Sequence, residues 1–334
     1  MASNVTLNTL IIVPPDYVPD AIWNLSGCIW GWIPNIFILV VGICGNVKGR
    51  FKYAIIGMSA CQLYATITQT ILYITYIYVE LHQVQMTVLT CSVPRRIFQQ
   101  TMNVALLSLL MISLDRYLAI LWSKHLTKTS LVFIFLLPAF YAHGIYNTLT
   151  LIPMQLGTSD MCGPCIKMPE AISYYLEPIP PICLALAIII NIRILWFLFR
   201  YDKNRKSKNT AAVYTKKELQ DMKQAMIGVM LQACIPMLFN MPQVINLAMY
   251  NVEAQLRMSK DAWRVINGLN YFTLFLNPCV TLLFVKQFRI AALSFIGKHE
   301  VSSTVEASVR SAAKSKIQSV MVFSTTTTSA TSRF

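Results

Sequence analysis

Charged residues are rare in this chain, and one pair of opposite charges stands at the edge of a long uncharged stretch. Asp115 and Arg116 directly follow residues 97–114, which contain no charged side chain. A charged side chain at mid-bilayer costs about 2.5–3.5 kcal/mol on insertion scales, so a pair in this position indicates either an interfacial location or a function. The sequence shows no Ser/His/Asp set, metal-ligand cluster or phosphate-binding loop, so it predicts neither an enzyme nor a cofactor.

Seven long stretches without charge fill most of the chain before residue 285 and predict its fold. The chain is 55% hydrophobic and only 13% charged, and its mean hydropathy is +0.53. A helix of about 20 apolar residues spans a bilayer while hydrogen-bonding its own backbone. We therefore expect an all-α membrane protein, a seven-transmembrane helix bundle, from the uncharged stretches 21–47, 53–79, 97–114, 129–159, 178–192, 224–252 and 265–285.

The net charge of +14 is distributed unevenly along the chain. Residues 1–47 contain no Lys or Arg, whereas the segments 193–223 and 286–334 are rich in both. Because Lys and Arg concentrate on the cytoplasmic side of membrane proteins, we expect a multi-pass plasma-membrane protein with its N-terminus outside and its C-terminus inside. Anionic inner-leaflet lipid and an acidic cytosolic partner, rather than nucleic acid, then account for the positive charge.

The predicted helices divide the chain into three parts. Residues 1–24 are expected to form an extracellular N-terminus, 25–296 the transmembrane domain, and 297–334 a disordered, Ser/Thr-rich cytoplasmic tail. The apolar residues from Phe284 to Phe295 have the spacing of a short amphipathic helix on the inner membrane surface. We expect the seven membrane helices over about 25–47, 53–79, 94–121, 130–152, 175–199, 223–249 and 262–285.

The sequence Asp115-Arg116-Tyr117 lies at the inner end of the third predicted helix. It resembles the Asp-Arg-Tyr motif of rhodopsin-like (class A) seven-transmembrane G-protein-coupled receptors. The resemblance implies that Asp115 holds Arg116 in the inactive state and that Arg116 faces a heterotrimeric G protein in the active state.

Other motif positions of these receptors occur in order on the expected helices. They are Asn46 in helix one, the kink proline Pro236 in helix six, and Asn277-Pro278 in helix seven. A proline frees a carbonyl and bends a helix, which lets the inner half of helix six swing outward. The resemblance therefore assigns these residues to activation.

The chain also departs from well-studied receptors in a recognisable way. Gln62 occupies the usual acidic position of helix two, Cys234 the usual Trp position of helix six, and Thr281 the NPxxY tyrosine position. The run Gln232-Ala-Cys-Ile-Pro and the run from Phe284 to Arg289 are similar to those of divergent nematode serpentine chemoreceptors. This closer resemblance implies a chemosensory receptor.

The resemblance also implies a disulfide bond at the outer face. Cys91 lies 25 residues before Arg116, where these receptors have a Cys bonded to the second outer loop, and that loop offers Cys162 and Cys165. The outer face is oxidising, so either pairing is chemically reasonable. The sequons Asn4-Val5-Thr6 and Asn24-Leu25-Ser26 predict glycosylation of Asn4 and Asn24 on the same side.

The resemblance points to a ligand pocket between the outer halves of helices three, five, six and seven. The position of the aspartate of amine receptors is Phe98, and that of the retinal lysine of opsins is Tyr271, so neither ligand class is expected. Aromatic, Met and amide side chains suit a small, largely apolar and uncharged ligand. The candidate pocket residues are Phe98, Gln99, Met102, Asn240, Gln243 and Tyr271.

The sequence thus predicts a chemosensory receptor that signals through a heterotrimeric G protein. A neuropeptide receptor of the same fold is an alternative, because outer acidic residues such as Asp16 and Glu170 suit a basic peptide. A ligand-gated channel or transporter is an alternative of another class, although the chain lacks internal repeats. Phosphorylation of the tail at 324–329 is expected to recruit an arrestin-like regulator.

Overall fold

The computed structural model describes residues 6–45, 47, 49–152, 155–208, 215–252 and 259–295. These residues form the seven-helix bundle that the uncharged stretches predicted, and the chain is a multi-pass membrane protein. The bounds are Val18–Cys44 for helix one, Phe51–Leu81 for helix two, Val88–Gln99 with Thr101–Leu121 for helix three, Lys128–Ala139 with Asn147–Leu151 for helix four, Glu170–Leu176 with Ile179–Lys208 for helix five, Lys216–Val252 for helix six, and Lys260–Phe284 for helix seven.

Six of the helices pack as a closed ring. Helix one contacts helices two and seven, helix three lies between helices two and five, and helix six joins helix five to helix seven. Helix four lies outside this ring and packs against helices two and three. Residues of this helix such as Phe133 and Leu136 are exposed on the outer surface of the bundle, as lipid-facing residues are expected to be.

Buried Asn side chains donate hydrogen bonds that join the helices inside the bundle. Asn35 of helix one donates to the Leu274 carbonyl of helix seven at 2.9 Å. Asn191 of helix five donates to the Ser113 hydroxyl of helix three at 3.0 Å. Because lipid tails are as apolar as Leu, helices associate in a bilayer through packing and such polar contacts rather than through the hydrophobic effect.

Two small sheets and a disulfide bond close one end of the bundle, which we call the disulfide end. Strand β1, Leu10–Ile11, pairs antiparallel with β2, Met86–Thr87, and strand β3, Gln155–Asp160, forms a hairpin with β4, Gly163–Lys167. The N-terminal segment is thereby laid across helices two and three. We call the opposite end, where helix three finishes beyond Arg116, the Arg116 end.

Helix seven continues into an amphipathic helix at the Arg116 end. Lys286–Phe295 follows Phe284 after a bend of 94°. Phe288 and Ala292 are buried against the bundle, whereas Ile290 is exposed on the other face. A helix with this division of faces, lying across the end of the bundle, suits an interface between membrane and water.

Several helix boundaries differ from the expected ones. Helix one begins at Val18 rather than near residue 25, because Pro19 occupies the first turn, where a proline removes no helical hydrogen bond. The N-terminal segment is therefore shorter than the 1–24 expected. Helix three begins at Val88 instead of 94 and is interrupted at Gln100. Helix four contains a π-helical turn, Phe140–Tyr146, between its two α-helical parts.

Candidate functional sites

Arg116 lies at the last turn of helix three with its charge balanced by the preceding residue. Its Nε donates to the Asp115 carboxylate at 2.9 Å, and its Nη2 contacts the same oxygen. The two side chains are 13% and 5% exposed, so this ion pair is largely removed from solvent. The Arg116 guanidinium also lies over the Phe51 ring of helix two, 4.1 Å from the ring centroid, where a cation is attracted to the π face.

The neighbours of Arg116 form the apolar part of the Arg116 end. Tyr117 is partly buried and packs against the largest buried cluster, which includes Ile112 and Leu198. Asp115 and Arg116 thus lie together as the sequence predicted, with Tyr117 directed into the core. Asn46, the predicted activation residue of helix one, lies outside the described residues.

Ion contacts tie the part of helix six at the Arg116 end to its neighbours. Lys223 Nζ lies 2.8 Å from the Asp202 carboxylate of helix five. Lys286, at the start of the amphipathic helix, lies 3.3 Å from the Asp221 carboxylate of helix six. Neither contact involves Arg116. Helix six is therefore attached to helix five and to the amphipathic helix by separate charge pairs.

The prolines of helices six and seven, Pro236 and Pro278, are buried, and side-chain hydrogen bonds lie close to both. Asn240 donates to the Pro236 carbonyl at 2.8 Å, in the turn that follows the proline. Gln232 donates to the Asn277 carbonyl and to the Thr281 hydroxyl, both at 2.7 Å. Helices six and seven are consequently joined one turn from Pro236 and beside Pro278, where both helices contain a break in regular hydrogen bonding.

A cavity of about 430 Å³ opens at the disulfide end between helices one, two, three, five, six and seven. Four of the six predicted pocket residues line it: Gln99, Met102, Asn240 and Tyr271. Phe98 faces a separate, smaller cavity. Gln243 belongs to helix six, and the placement of its side chain lies outside what the structure describes.

Tyrosine and amide groups dominate the wall of this cavity, and sequence analysis missed most of them. The Tyr73 hydroxyl donates to the Tyr271 hydroxyl at 2.7 Å, and Asn240 donates to the Asn270 side chain at 3.0 Å. The side-chain amide oxygen of Gln99, Oε1, is buried without a hydrogen-bond partner among the described residues. Further polar lining residues are Asp20, Asn24, Arg95, Gln100, Asn103, Tyr146, Glu177 and Asn267.

The lining of the cavity combines apolar and polar side chains. A largely apolar pocket would be surrounded by aliphatic and Met side chains, whereas this one also exposes charged groups of both signs, Asp20, Arg95 and Glu177. Asp20 is paired with Arg264 of helix seven. Burial of these charged groups without hydrogen-bond partners would be unfavourable, so the chemistry of the cavity suits molecules that carry polar groups.

Covalent and hydrogen-bonded contacts hold the covering of the cavity in place. Cys91 of helix three is bonded to Cys162, at the turn between β3 and β4, which resolves the two pairings that the sequence left open. Arg96 Nε donates to the Ile166 carbonyl of β4 at 2.8 Å. The Tyr76 hydroxyl donates to the Pro14 carbonyl at 2.6 Å, which fixes the N-terminal segment on helix two.

The expected glycosylation of Asn24 is incompatible with its position. Asn24 lies within helix one, is only 5% exposed, and donates to the Tyr73 hydroxyl at 3.3 Å. A sequon must lie in an accessible segment to be glycosylated, and this side chain instead forms part of the cavity wall. Asn4 lies outside the described residues.

The described residues form a seven-helix membrane bundle with a cavity at one end and the Asp115-Arg116-Tyr117 sequence at the other. The family model of the serpentine type 7TM GPCR chemoreceptor Srd matches residues 176–294, from helix five through the amphipathic helix. This match confirms the resemblance to divergent nematode serpentine chemoreceptors. It supports a GPCR-type chemoreceptor and indicates a receptor rather than an enzyme family. No curated protein matches the chain.

Proposed function

We propose that the protein is a chemosensory receptor that binds a small polar ligand at the disulfide end and signals through a heterotrimeric G protein at the Arg116 end. The main observation in support of this proposal is that helix six contributes residues to both the cavity and the Arg116 end. Asn240 lines the cavity and holds the Pro236 carbonyl, while Lys223 and Asp221 attach the other half of the same helix to its neighbours.

In this proposal a ligand acts by competing for the amides of the cavity. A ligand that hydrogen-bonds to Asn240 or Asn270 changes the contacts beside Pro236, where the proline lacks the N–H of a regular helical hydrogen bond. The inner half of helix six then moves away from helix five, and Arg116 is exposed to the G protein. The ligand shifts the equilibrium between the two states only by the difference in its affinity for them.

The cavity volume favours a small molecule over a neuropeptide. A volume of about 430 Å³ lies within the range of about 300–1,000 Å³ that is usual for small-molecule sites. The β3–β4 hairpin is fixed to helix three at the same end by the Cys91–Cys162 bond. A peptide would have to displace this covering, so a neuropeptide receptor remains the second candidate.

The proposal places the disulfide end outside the cell and the Arg116 end in the cytoplasm of the plasma membrane. An oxidising compartment is needed to keep a disulfide bond such as Cys91–Cys162, which supports this orientation. The amphipathic helix then lies on the inner leaflet. The Ser/Thr-rich tail beyond it, which lies outside the described residues, would bind an arrestin-like regulator after phosphorylation.

The test is nucleotide exchange on purified Gα subunits in the presence of receptor and small polar compounds. We expect an active compound to lose its effect in Arg116→Ala and to keep part of it in Arg116→Lys, because Lys preserves the charge but not the planar guanidinium. Binding of the compound should be unchanged in both variants. An evoked ion current that persists without any G protein would instead indicate a channel or transporter.

A further inference from the structure

A second, smaller cavity lies beside the ligand cavity at the disulfide end. Its volume is about 100 Å³, and it is bounded by the N-terminal segment, helices two and three, and the β3–β4 turn. We call it the side cavity and the larger one the main cavity. Leu72, Arg95 and Met161 line both, so the two cavities adjoin at these three side chains.

The side cavity is apolar, in contrast to the main cavity. Val13, Leu72, Val79 and Pro94 line it together with the Cys91–Cys162 disulfide. Two of the hydroxyl groups that line it already donate hydrogen bonds to backbone carbonyls. The Tyr76 hydroxyl donates to the Pro14 carbonyl at 2.6 Å, and the Thr90 hydroxyl donates to the Thr87 carbonyl at 3.0 Å. A cavity with this lining offers water few of the two to four partners that it needs.

The N-terminal segment covers part of the side cavity. Val13 of this segment is 1% exposed, and the pairing of β1 with β2 holds the segment over the space. Because the two cavities share Leu72 and Met161, an apolar group can occupy the side cavity while the rest of the same molecule lies in the main cavity. A molecule that occupies both spaces must be polar at one end and apolar at the other.

We propose that the ligand of this receptor is an amphiphile, with its polar group in the main cavity and a short unbranched apolar tail in the side cavity. The proposal rests on the proposed function and names its ligand class. An engineered apolar cavity of about 150 Å³ accepts benzene, so by proportion the side cavity accepts a tail of about four carbons. Arg95, at the boundary of the two spaces, marks where the polar part ends.

The test uses purified full-length receptor in lipid nanodiscs and a series of primary n-alkyl amides, from ethanamide to decanamide. The dissociation constant of each amide is obtained from the rise in unfolding temperature with amide concentration. We expect affinity to increase about fourfold for each added methylene, the gain for burying one such group, until the tail reaches about four carbons, and then to fall.

Val79 provides the decisive variants because its side chain lines the side cavity and is buried. Val79→Phe fills the space and should shift the optimum to a shorter tail, with ethanamide affinity unchanged. Val79→Ala enlarges the space and should shift the optimum to a longer tail. Val132→Phe on the outer face of helix four, where Val132 is 60% exposed, is the matched control and should leave the series unchanged.

Three outcomes would overturn the proposal. The tail length of highest affinity could be the same in both Val79 variants as in the unchanged receptor. The affinity could rise steadily up to decanamide, as partition into lipid does, or no amide could raise the unfolding temperature. The measurement requires no G protein. Its failure is therefore distinguishable from failure of the proposed function, which nucleotide exchange and the Arg116 variants test separately.

Discussion

The two ends of the bundle are stabilised in different ways. At the disulfide end, a covalent bond, two small sheets and hydrogen bonds from Tyr76 and Arg96 hold the loops over the cavity. At the Arg116 end, apolar packing and a few ion contacts join the helices, and no disulfide bond links them in the part of the chain that the structure describes.

Under the proposed function, the contacts at the disulfide end stay in place, whereas the contacts at the Arg116 end change when the receptor is activated. Loops fixed by a disulfide keep a cavity formed before the ligand arrives, so less ordering accompanies binding. Ion contacts between helices each contribute little and exchange readily for contacts with water or with a partner. Under the proposed function, these ion contacts therefore add little to the free energy needed to move helix six, and apolar packing supplies most of it.

The largest change in stability is expected from removing the disulfide bond at the disulfide end. The Cys91–Cys162 bond spans a sequence separation of 71 residues, for which loop-closure entropy gives about 4 kcal/mol of stability. Cys91→Ser, Cys162→Ser and the double variant should each lower the unfolding temperature of the purified receptor by the same amount. They should also lower ligand binding, because the covering of the cavity is released.

Cys165→Ser is the matched control, since Cys165 lies in β4 of the same hairpin. This variant should unfold at the temperature of the unchanged receptor, and reducing agent should destabilise it as much as it destabilises the unchanged receptor. If Cys165→Ser instead lowered the unfolding temperature as much as Cys91→Ser, the Cys91–Cys162 pairing would be wrong. The conclusion that this bond holds the loops over the cavity would then be wrong as well.

An intermediate effect is expected at Asp115. Asp115→Asn removes the carboxylate that balances Arg116, and a hydrogen bond to a charged group contributes about 1.5–3 kcal/mol. The guanidinium is then held by the Phe51 ring alone among the contacts resolved in the described residues. We expect basal nucleotide exchange without ligand to rise about tenfold, while the unfolding temperature changes much less than in the disulfide variants.

The double variant Asp115→Asn with Arg116→Ala separates the two roles of this pair. It should abolish the elevated basal exchange, because the residue that meets the G protein is missing. Unchanged basal exchange in Asp115→Asn alone would contradict the view that the Arg116 end is restrained by this ion pair.

The sequence predicted the Arg116 end better than the disulfide end, for physical reasons. Seven uncharged stretches must become helices in lipid, and adjacent residues such as Asp115 and Arg116 meet without help from the fold. The cavity wall depends instead on how each helix is rotated about its axis. Tyr73 and Asn270 are ordinary polar residues of apolar helices until packing turns both toward the same space.

Asn24 and Pro19 show how local patterns mislead at the disulfide end. A sequon near a predicted membrane boundary suggests an exposed loop, and a proline suggests a helix break. The helix nevertheless begins at Val18, which accommodates Pro19 in its first turn and carries Asn24 into the bundle. The choice of Cys162 over Cys165 likewise depends on the turn between β3 and β4, which spacing alone does not specify.

The smallest effect is expected from the charge pair between helices five and six. Lys223→Met removes the contact with Asp202, and a partly exposed pair of this kind contributes about 0.2–1 kcal/mol. Basal nucleotide exchange should therefore rise by at most about fivefold, and high salt should reduce the difference between the variant and the unchanged receptor because salt screens the pair.

Lys216→Met, at the exposed start of the same helix, is the matched control and should leave basal exchange unchanged. If Lys223→Met raised exchange as much as Asp115→Asn, helix six would be restrained mainly by charge rather than by packing. If neither variant raised it, the Arg116 end would be as firmly held as the disulfide end.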